Sequence, residues 1–152
     1  MMQARMKNPV YALPAAMAGV EQLNKATHQS GVSRQVLELV HLRVSQINGC
    51  SVCVFGGVDA ARKAGVSDKL LDTVAAWRES PFFSDAERAA LALAEAATRL
   101  ADGGGVSDEV WDNAADHFDE SELSAIILTI AVTNFYNRIN ASIREPAGAT
   151  WS

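Results

Sequence analysis

Apolar residues recur along this chain at steps of three and four, and the period-two alternation of half-buried strands is absent. Ala and Leu carry much of the pattern, which favours helix. Helices are expected over about Pro14 to His28, from an N-cap at Ser33 to about Asn48, and from about Ser51 to Ala64. A short one follows Ser67 and runs through Trp77. Ser84-Asp85-Ala86-Glu87 is a capping box for a helix ending near Ala101. Ser107 opens a helix to about His117, and Asp119 to Glu122 cap a last one reaching roughly Ile143. Ser30-Gly31, Asn48-Gly49, Gly65 and Ser80-Pro81 are breaks, Gly103-Gly104-Gly105 reads as a flexible loop, and Pro146 and Gly148 end the last helix. The expectation is an all-α fold of about six to eight helices in a single domain spanning residues 1–152. The two long helices of the second half are apolar on most sides, more than one small chain needs to bury, so an oligomer is expected.

Composition narrows the class. Hydrophobic residues make up 49% and charged residues 20%, as in an ordinary soluble globule. A net charge of −5 without any Lys/Arg block argues against nucleic acid as a partner. No apolar run approaches the roughly 20 residues of a membrane span. Arg5 and Lys7 are not followed by the apolar stretch of a signal peptide, so a cytoplasmic location is expected. The glycine triplet has neither a preceding strand nor a following Lys, so it does not read as a phosphate cradle, and no cofactor is implied.

Two cysteines, Cys50 and Cys53, stand at CxxC spacing. In a reducing compartment such a pair reads as redox-active or metal-binding. Zinc would need two further ligands, and the three histidines, His28, His41 and His117, are scattered, so no metal is expected. The pair sits at a predicted helix start, where unpaired N–H groups and the helix dipole favour thiolate, the nucleophile toward peroxides and disulfides. The plainer alternative is two buried cysteines acting as small apolar groups.

On the helix preceding them, Val36, Val40, Val44 and Ile47 share one side, while Glu38, His41, Ser45 and Asn48 share another at steps of three, four and three. A solvated face is the ordinary explanation of such a stripe. Glu38 lies roughly 18 Å along a straight helix from Cys50, too far for direct contact. If the next helix folds back at Gly49, Ser45 comes opposite Cys53, His41 faces Gly57 and Glu38 faces Ala60. A proton could then pass between the cysteines and Glu38 only through something near position 41 or 57.

The stretch Leu37-Glu38-Leu39-Val40-His41-Leu42-Arg43-Val44-Ser45-Gln46-Ile47-Asn48-Gly49-Cys50-Ser51-Val52-Cys53 resembles the core of the alkylhydroperoxidase-D (AhpD) branch of the carboxymuconolactone decarboxylase family. Arg5-Met6-Lys7-Asn8-Pro9, the segment Ala76-Trp77-Arg78-Glu79-Ser80-Pro81-Phe82-Phe83 and the ending Asn137-Arg138-Ile139-Asn140 are similar to family members too, so the resemblance covers nearly the whole chain. It implies an all-helical homotrimer or homohexamer. It also implies a cysteine-pair peroxidase acting on a hydroperoxide and reduced by a thiol, lipoyl or thioredoxin-like donor. Cys53 would attack the peroxide, Cys50 would resolve it, and Glu38 would be the relay glutamate. Val52 stands where many members carry Tyr, and Gly57 stands where the family motif has its histidine. His41 is the candidate replacement, against an exposed helix histidine as the alternative.

The leading expectation is therefore a thiol-dependent antioxidant oxidoreductase using Cys53, Cys50, Glu38 and His41. One alternative is a family member whose pair is a redox sensor or structural disulfide. Another is a decarboxylase-like lyase using Glu38 and His41 as acid and base, against which the cysteine pair argues. Gly56 and Gly57 read as sites of close helix packing, or as an opening beside Cys53. Asn134 and Asn137 are expected in a helix–helix hydrogen-bond network. Trp77, Trp111 and Trp151 read as core or interface anchors.

Overall fold

The structure is a computed structural model and describes residues 2–149; Trp151 lies outside them. The described residues form nine α-helices and one 3-10 helix, without strands. In chain order these are α1 (Pro9–Ala12), α2 (Pro14–Thr27), α3 (Arg34–Ile47), α4 (Ser51–Lys63), α5 (Asp68–Thr73), the 3-10 helix Val74–Glu79, α6 (Asp85–Thr98), α7 (Leu100–Gly103), α8 (Asp108–His117) and α9 (Glu120–Ile143). The expected all-α fold stands. The expected count of six to eight falls short because α1 and α7 are single turns, too brief for a periodic signal.

Local chemistry sets most boundaries. Ser33 accepts from the Gln35 amide, and Ser107 accepts from that of Val110. Ser84 with Glu87, and Asp119 with Glu122, form complete capping boxes. Gly49, at φ +65°, makes the left-handed turn that folds α4 back along α3. The expected helix through Trp77 changes hand-hold midway: α5 passes into the 3-10 helix, within which Ala76 leaves helical geometry. The helix expected to reach Ala101 breaks at Arg99, and the first residue of the glycine triplet ends α7 rather than lying in a loop.

Helix α3 is the axle. One side, Val36, Leu37, Val40 and Val44, packs against α6, α8 and α9, including Leu93 and Ile126. Another side, Leu39 and Leu42, packs with Ala61 of α4, Leu70, Val74, Trp77 and Leu91. Burying each such Leu or Val stabilises the fold by about 1.5–3 kcal/mol, so α3 cannot rotate without exposing one cluster or the other. That locks its third side, the polar stripe, against α9. The α9 helix therefore departs from its expected apolar character. It carries buried Ile126, Ile130 and Ile143 in the core, but Thr133, Asn134, Asn137 and Asn140 along a polar seam. Trp77 is a core residue, whereas Trp111 is exposed and has no place in the core.

Buried Glu95 ties the other flank. Its carboxylate accepts from Arg43 Nε at 2.9 Å, from Trp77 Nε1 at 3.0 Å, and from Arg78, with Arg99 at 3.7 Å. Burial pushes this carboxyl up, but the hydrogen bonds from Arg78, Trp77 and Arg43 outweigh burial and hold it below the usual glutamate value. Sequence reading passed over this residue inside an Ala-rich helix.

Candidate functional site

Cys50 is the N-cap residue of α4 and Cys53 lies in its first turn. Their sulfurs are joined as a disulfide, with Cα atoms 5.3 Å apart. Both residues are buried. Two anchors place them. The Cys50 amide donates to the Ser45 carbonyl at 3.0 Å, closing the turn around Gly49. From α9, the Asn140 amide donates to Cys53 Sγ at 3.2 Å and approaches Cys50 Sγ at 3.8 Å.

The polar stripe of α3 is more than a solvated face, although its last member, Asn48, remains exposed. Each member but Glu38 meets a partner on α9. His41 Nδ1 lies 3.2 Å from Thr133 Oγ1, Asn137 donates to Ser45 Oγ at 3.2 Å, and Asn48 donates to both Asn134 and Asn137 at 2.9 Å. The amides of Asn134 and Asn137 thus form the helix–helix network expected of them. This ladder fixes the height of α9 relative to α3, and so fixes Asn140 against the sulfurs.

The two adjacent glycines differ in what surrounds them. A Cβ on Gly57 would stand 3.0 Å from His41 Cδ2, 3.3 Å from His41 Nε2 and 3.6 Å from Leu42 Cδ1. His41 occupies the space a side chain at position 57 would fill, which answers the close-packing reading. A Cβ on Gly56 would meet nothing within 4 Å. With no packing to offset its helix cost of about 1 kcal/mol, Gly56 instead borders open space beside Cys53.

That space is a cleft of about 230 Å³ whose walls include Tyr11, Met17, His41, Cys53, Tyr136 and Asn140. It adjoins a second cleft of about 270 Å³, reached past His41, Gly57 and Tyr136, where Glu38, His28 and Arg34 lie. The structure therefore places Cys53 and His41 on one cleft, with Cys50 bonded to Cys53 but lining a different surface hollow. Glu38 sits one turn back along α3, ion-paired to Arg34 at 3.2 Å and touching neither sulfur.

His41 is held neutral. Burial lowers its affinity for a proton below the ordinary histidine value, against Glu38 and the Cys53 carbonyl, which both favour the cation. Its Nδ1 faces Thr133 Oγ1, whose own proton goes to the Thr129 carbonyl at 2.7 Å. The arrangement is a neutral base, charged only on gaining a proton, with a carboxylate near enough to favour that charge. The folded value lies below the unfolded value of about 6.5, so the unfolded chain binds more protons in this window. His41's contribution is present above pH 6.5 and is lost as pH falls toward the folded value. Urea unfolding between pH 7 and 5.5 is expected to show falling stability, with a shallower slope in His41→Gln.

Sequence reasoning missed Asn140 and Thr133 as parts of this site. Asn140 stood in a recognisable ending, but nothing linear sets it against residues some ninety positions away. Among the described residues, no group of three or more His, Cys, Asp and Glu side chains is placed to hold a metal ion. No helix among them is long and apolar enough to cross a membrane.

A family model described as the carboxymuconolactone decarboxylase family matches residues 14–96. An uncharacterised Bacillus subtilis protein, YdfG, is 35% identical over 136 residues, covering 90% of this chain and 92% of its own. A solved Agrobacterium tumefaciens protein of unknown function, provisionally assigned as the antioxidant defence protein AhpD, superposes with a TM-score of 0.87 at 32% identity, covering 97% of this chain and all of that one. The debrominase Bmp8 has a TM-score of 0.80 at 24% identity, covering 90% of this chain and 73% of its own, which is a likeness of fold.

Proposed function

Because this chain belongs to the carboxymuconolactone decarboxylase family, on its AhpD-like branch, we propose that it is a thiol-dependent peroxidase that reduces organic hydroperoxides through Cys53 and Cys50. The observation that carries the reading is that His41, seated on Gly57, borders the same cleft as Cys53. A cysteine pair at a helix start has beside it a neutral base, supplied by α3 in place of the family histidine of α4.

In the reduced protein, neutral His41 accepts the Cys53 proton, and Glu38 favours the resulting imidazolium. The Cys53 thiolate attacks the terminal peroxide oxygen and the O–O bond breaks. Cys53 becomes a sulfenic acid, and the departing alkoxide takes the proton from His41 to leave as an alcohol. The Cys50 thiol then attacks the sulfenic sulfur, expelling hydroxide, which takes the Cys50 proton and leaves as water. The product of that step is a Cys50–Cys53 disulfide, a bond whose geometry the helix start accommodates, with the Cα atoms 5.3 Å apart. A dithiol donor, of lipoyl or thioredoxin type, returns two electrons and two protons by thiol–disulfide exchange. Ile127, Leu128 and Phe135, large apolar side chains exposed along α9, support self-association, and the family resemblance makes a homotrimer or homohexamer the expected form.

The test is turnover of an organic hydroperoxide with a dithiol donor. Cys53→Ser is expected to be inactive. With the donor left out, Cys50→Ser is expected to consume one equivalent and stop, holding one added oxygen on Cys53 by mass spectrometry. If Cys50→Ser gains no oxygen at Cys53 under conditions that oxidise the intact pair, Cys53 is not the attacking sulfur.

A further inference from the structure

The sulfurs end a chain of hydrogen bonds that begins at the N-terminal segment. Asn8 is the N-cap of α1, and its Oδ1 accepts from the Val10 amide at 3.2 Å. An amide N–H can only donate, so this bond settles which end of the Asn8 side chain faces which way. Its Nδ2 then points to Asn140, and donates to Asn140 Oδ1 at 3.2 Å. Asn140 must present its oxygen to Asn8, and so must present its NH₂ to the cysteines. Both amides are buried, Asn8 at 6% and Asn140 at 2% exposure, so water does not compete for their orientation. Arg5 fastens the segment to the end of α9, its amide donating to the Ile143 carbonyl at 2.7 Å and its guanidinium to that of Ser142 at 3.3 Å.

We propose that Asn140 is the group that holds the Cys53 thiolate, and that Asn8 is the positioning residue that keeps the Asn140 N–H turned toward it. The inference rests on the peroxidase reading for its use, not for its test. A disulfide sulfur is a poor acceptor and gains little from this amide. The thiolate released on reduction gains a charge-assisted hydrogen bond, roughly twice as strong as a neutral one. The amide therefore stabilises the reduced, nucleophilic state of Cys53 over its protonated form. Were Asn140 turned over, its carbonyl oxygen would face the thiolate and repel it. The first residues of the chain thus belong to the redox centre, through one amide relayed by another.

The experiment uses the full-length reduced protein and measures alkylation of Cys53 by iodoacetamide against pH, with the modified residue identified by peptide mass. Asn8→Asp keeps the helix cap, since a carboxylate still accepts from Val10, but it cannot donate to Asn140. It is expected to draw the Asn140 NH₂ toward itself and turn the oxygen to the sulfur. The midpoint of the alkylation profile should move to higher pH, and the rate at pH 7 should fall roughly tenfold. Asn8→Ser keeps the cap and adds no charge, and should shift the profile the same way by less. Asn140→Leu should match Asn8→Asp where it folds, as judged by its thermal transition. Wild-type profiles in folded Asn8→Asp and Asn8→Ser would overturn the proposal. No hydroperoxide enters the assay, so a protein inert to hydroperoxides can still show the shift, and an active peroxidase can fail to show it.

Discussion

Replacing His41 with alanine is expected to slow oxidation of the reduced cysteine pair by an organic hydroperoxide about 10²–10⁴-fold at neutral pH, the usual worth of a positioned acid–base group. The expectation rests on placement. His41 is the imidazole that borders the Cys53 cleft, and burial keeps it neutral and able to accept a proton. Glu38 cannot stand in for it, because it lies beyond His41 and pairs with Arg34. The loss should be largest near neutrality and shrink in alkaline buffer, where Cys53 ionises without help. The double variant His41→Ala/Gly57→His returns an imidazole to the same space from the opposite helix. It should recover much of the lost rate, because the alanine vacates the volume that a side chain at 57 now needs. An unchanged rate in His41→Ala would remove this residue from the mechanism.

The second large effect is on stability. Glu95→Ala is expected to cost about 3–5 kcal/mol, the range for removing one partner of a buried ion pair. The carboxylate is 5% exposed and Arg43 is 13% exposed, so Arg43 would be left largely without water or counter-charge. Trp77 would also lose the acceptor for its buried indole N–H. For a chain of this size the transition temperature should drop by roughly 6–20 °C. The pH dependence has a definite sign. The folded carboxyl lies below its ordinary value, so its contribution is present above the unfolded value and is lost as pH falls through the folded one. Thermal melts at neutral pH and near pH 3 check both points: the wild type and Glu95→Ala should differ widely at the first and converge toward the second. Equal melting at neutral pH would mean that α3, α6 and the 3-10 helix are held by apolar packing alone.

What could be read from the chain differs residue by residue. Ser33, Ser84, Ser107 and Asp119 mark helix starts because capping is local chemistry. Asn8 does the same work for α1, yet a four-residue helix has no period to betray it. The turn at Gly49 was legible, and with it the approach of His41 to Gly57, because two helices joined tightly must run antiparallel. The destiny of the α3 stripe was not. Polar residues on one face of a helix most often meet water alone, and only the packing of α9 shows that His41, Ser45 and Asn48 meet Thr133, Asn134 and Asn137. Asn48 read as a helix breaker, and it does end α3, but its side chain is also a rung of that ladder. Glu95 was hidden for the opposite reason. A charge within an Ala-rich helix looks solvent-facing until Arg43, Trp77 and Arg78 converge on it from three directions.

If Cys53 and Cys50 form a working pair rather than a structural cross-link, a hydroperoxide must oxidise them quickly. Stopped-flow mixing of the fully reduced protein with an organic hydroperoxide, followed by thiol titration and with Cys53→Ser as control, measures that rate. Two thiols should disappear for each hydroperoxide consumed, far faster than a free thiol reacts, and Cys53→Ser should abolish the fast phase. Oxidation of the pair no faster than that of a free thiol at the same pH would contradict a working pair.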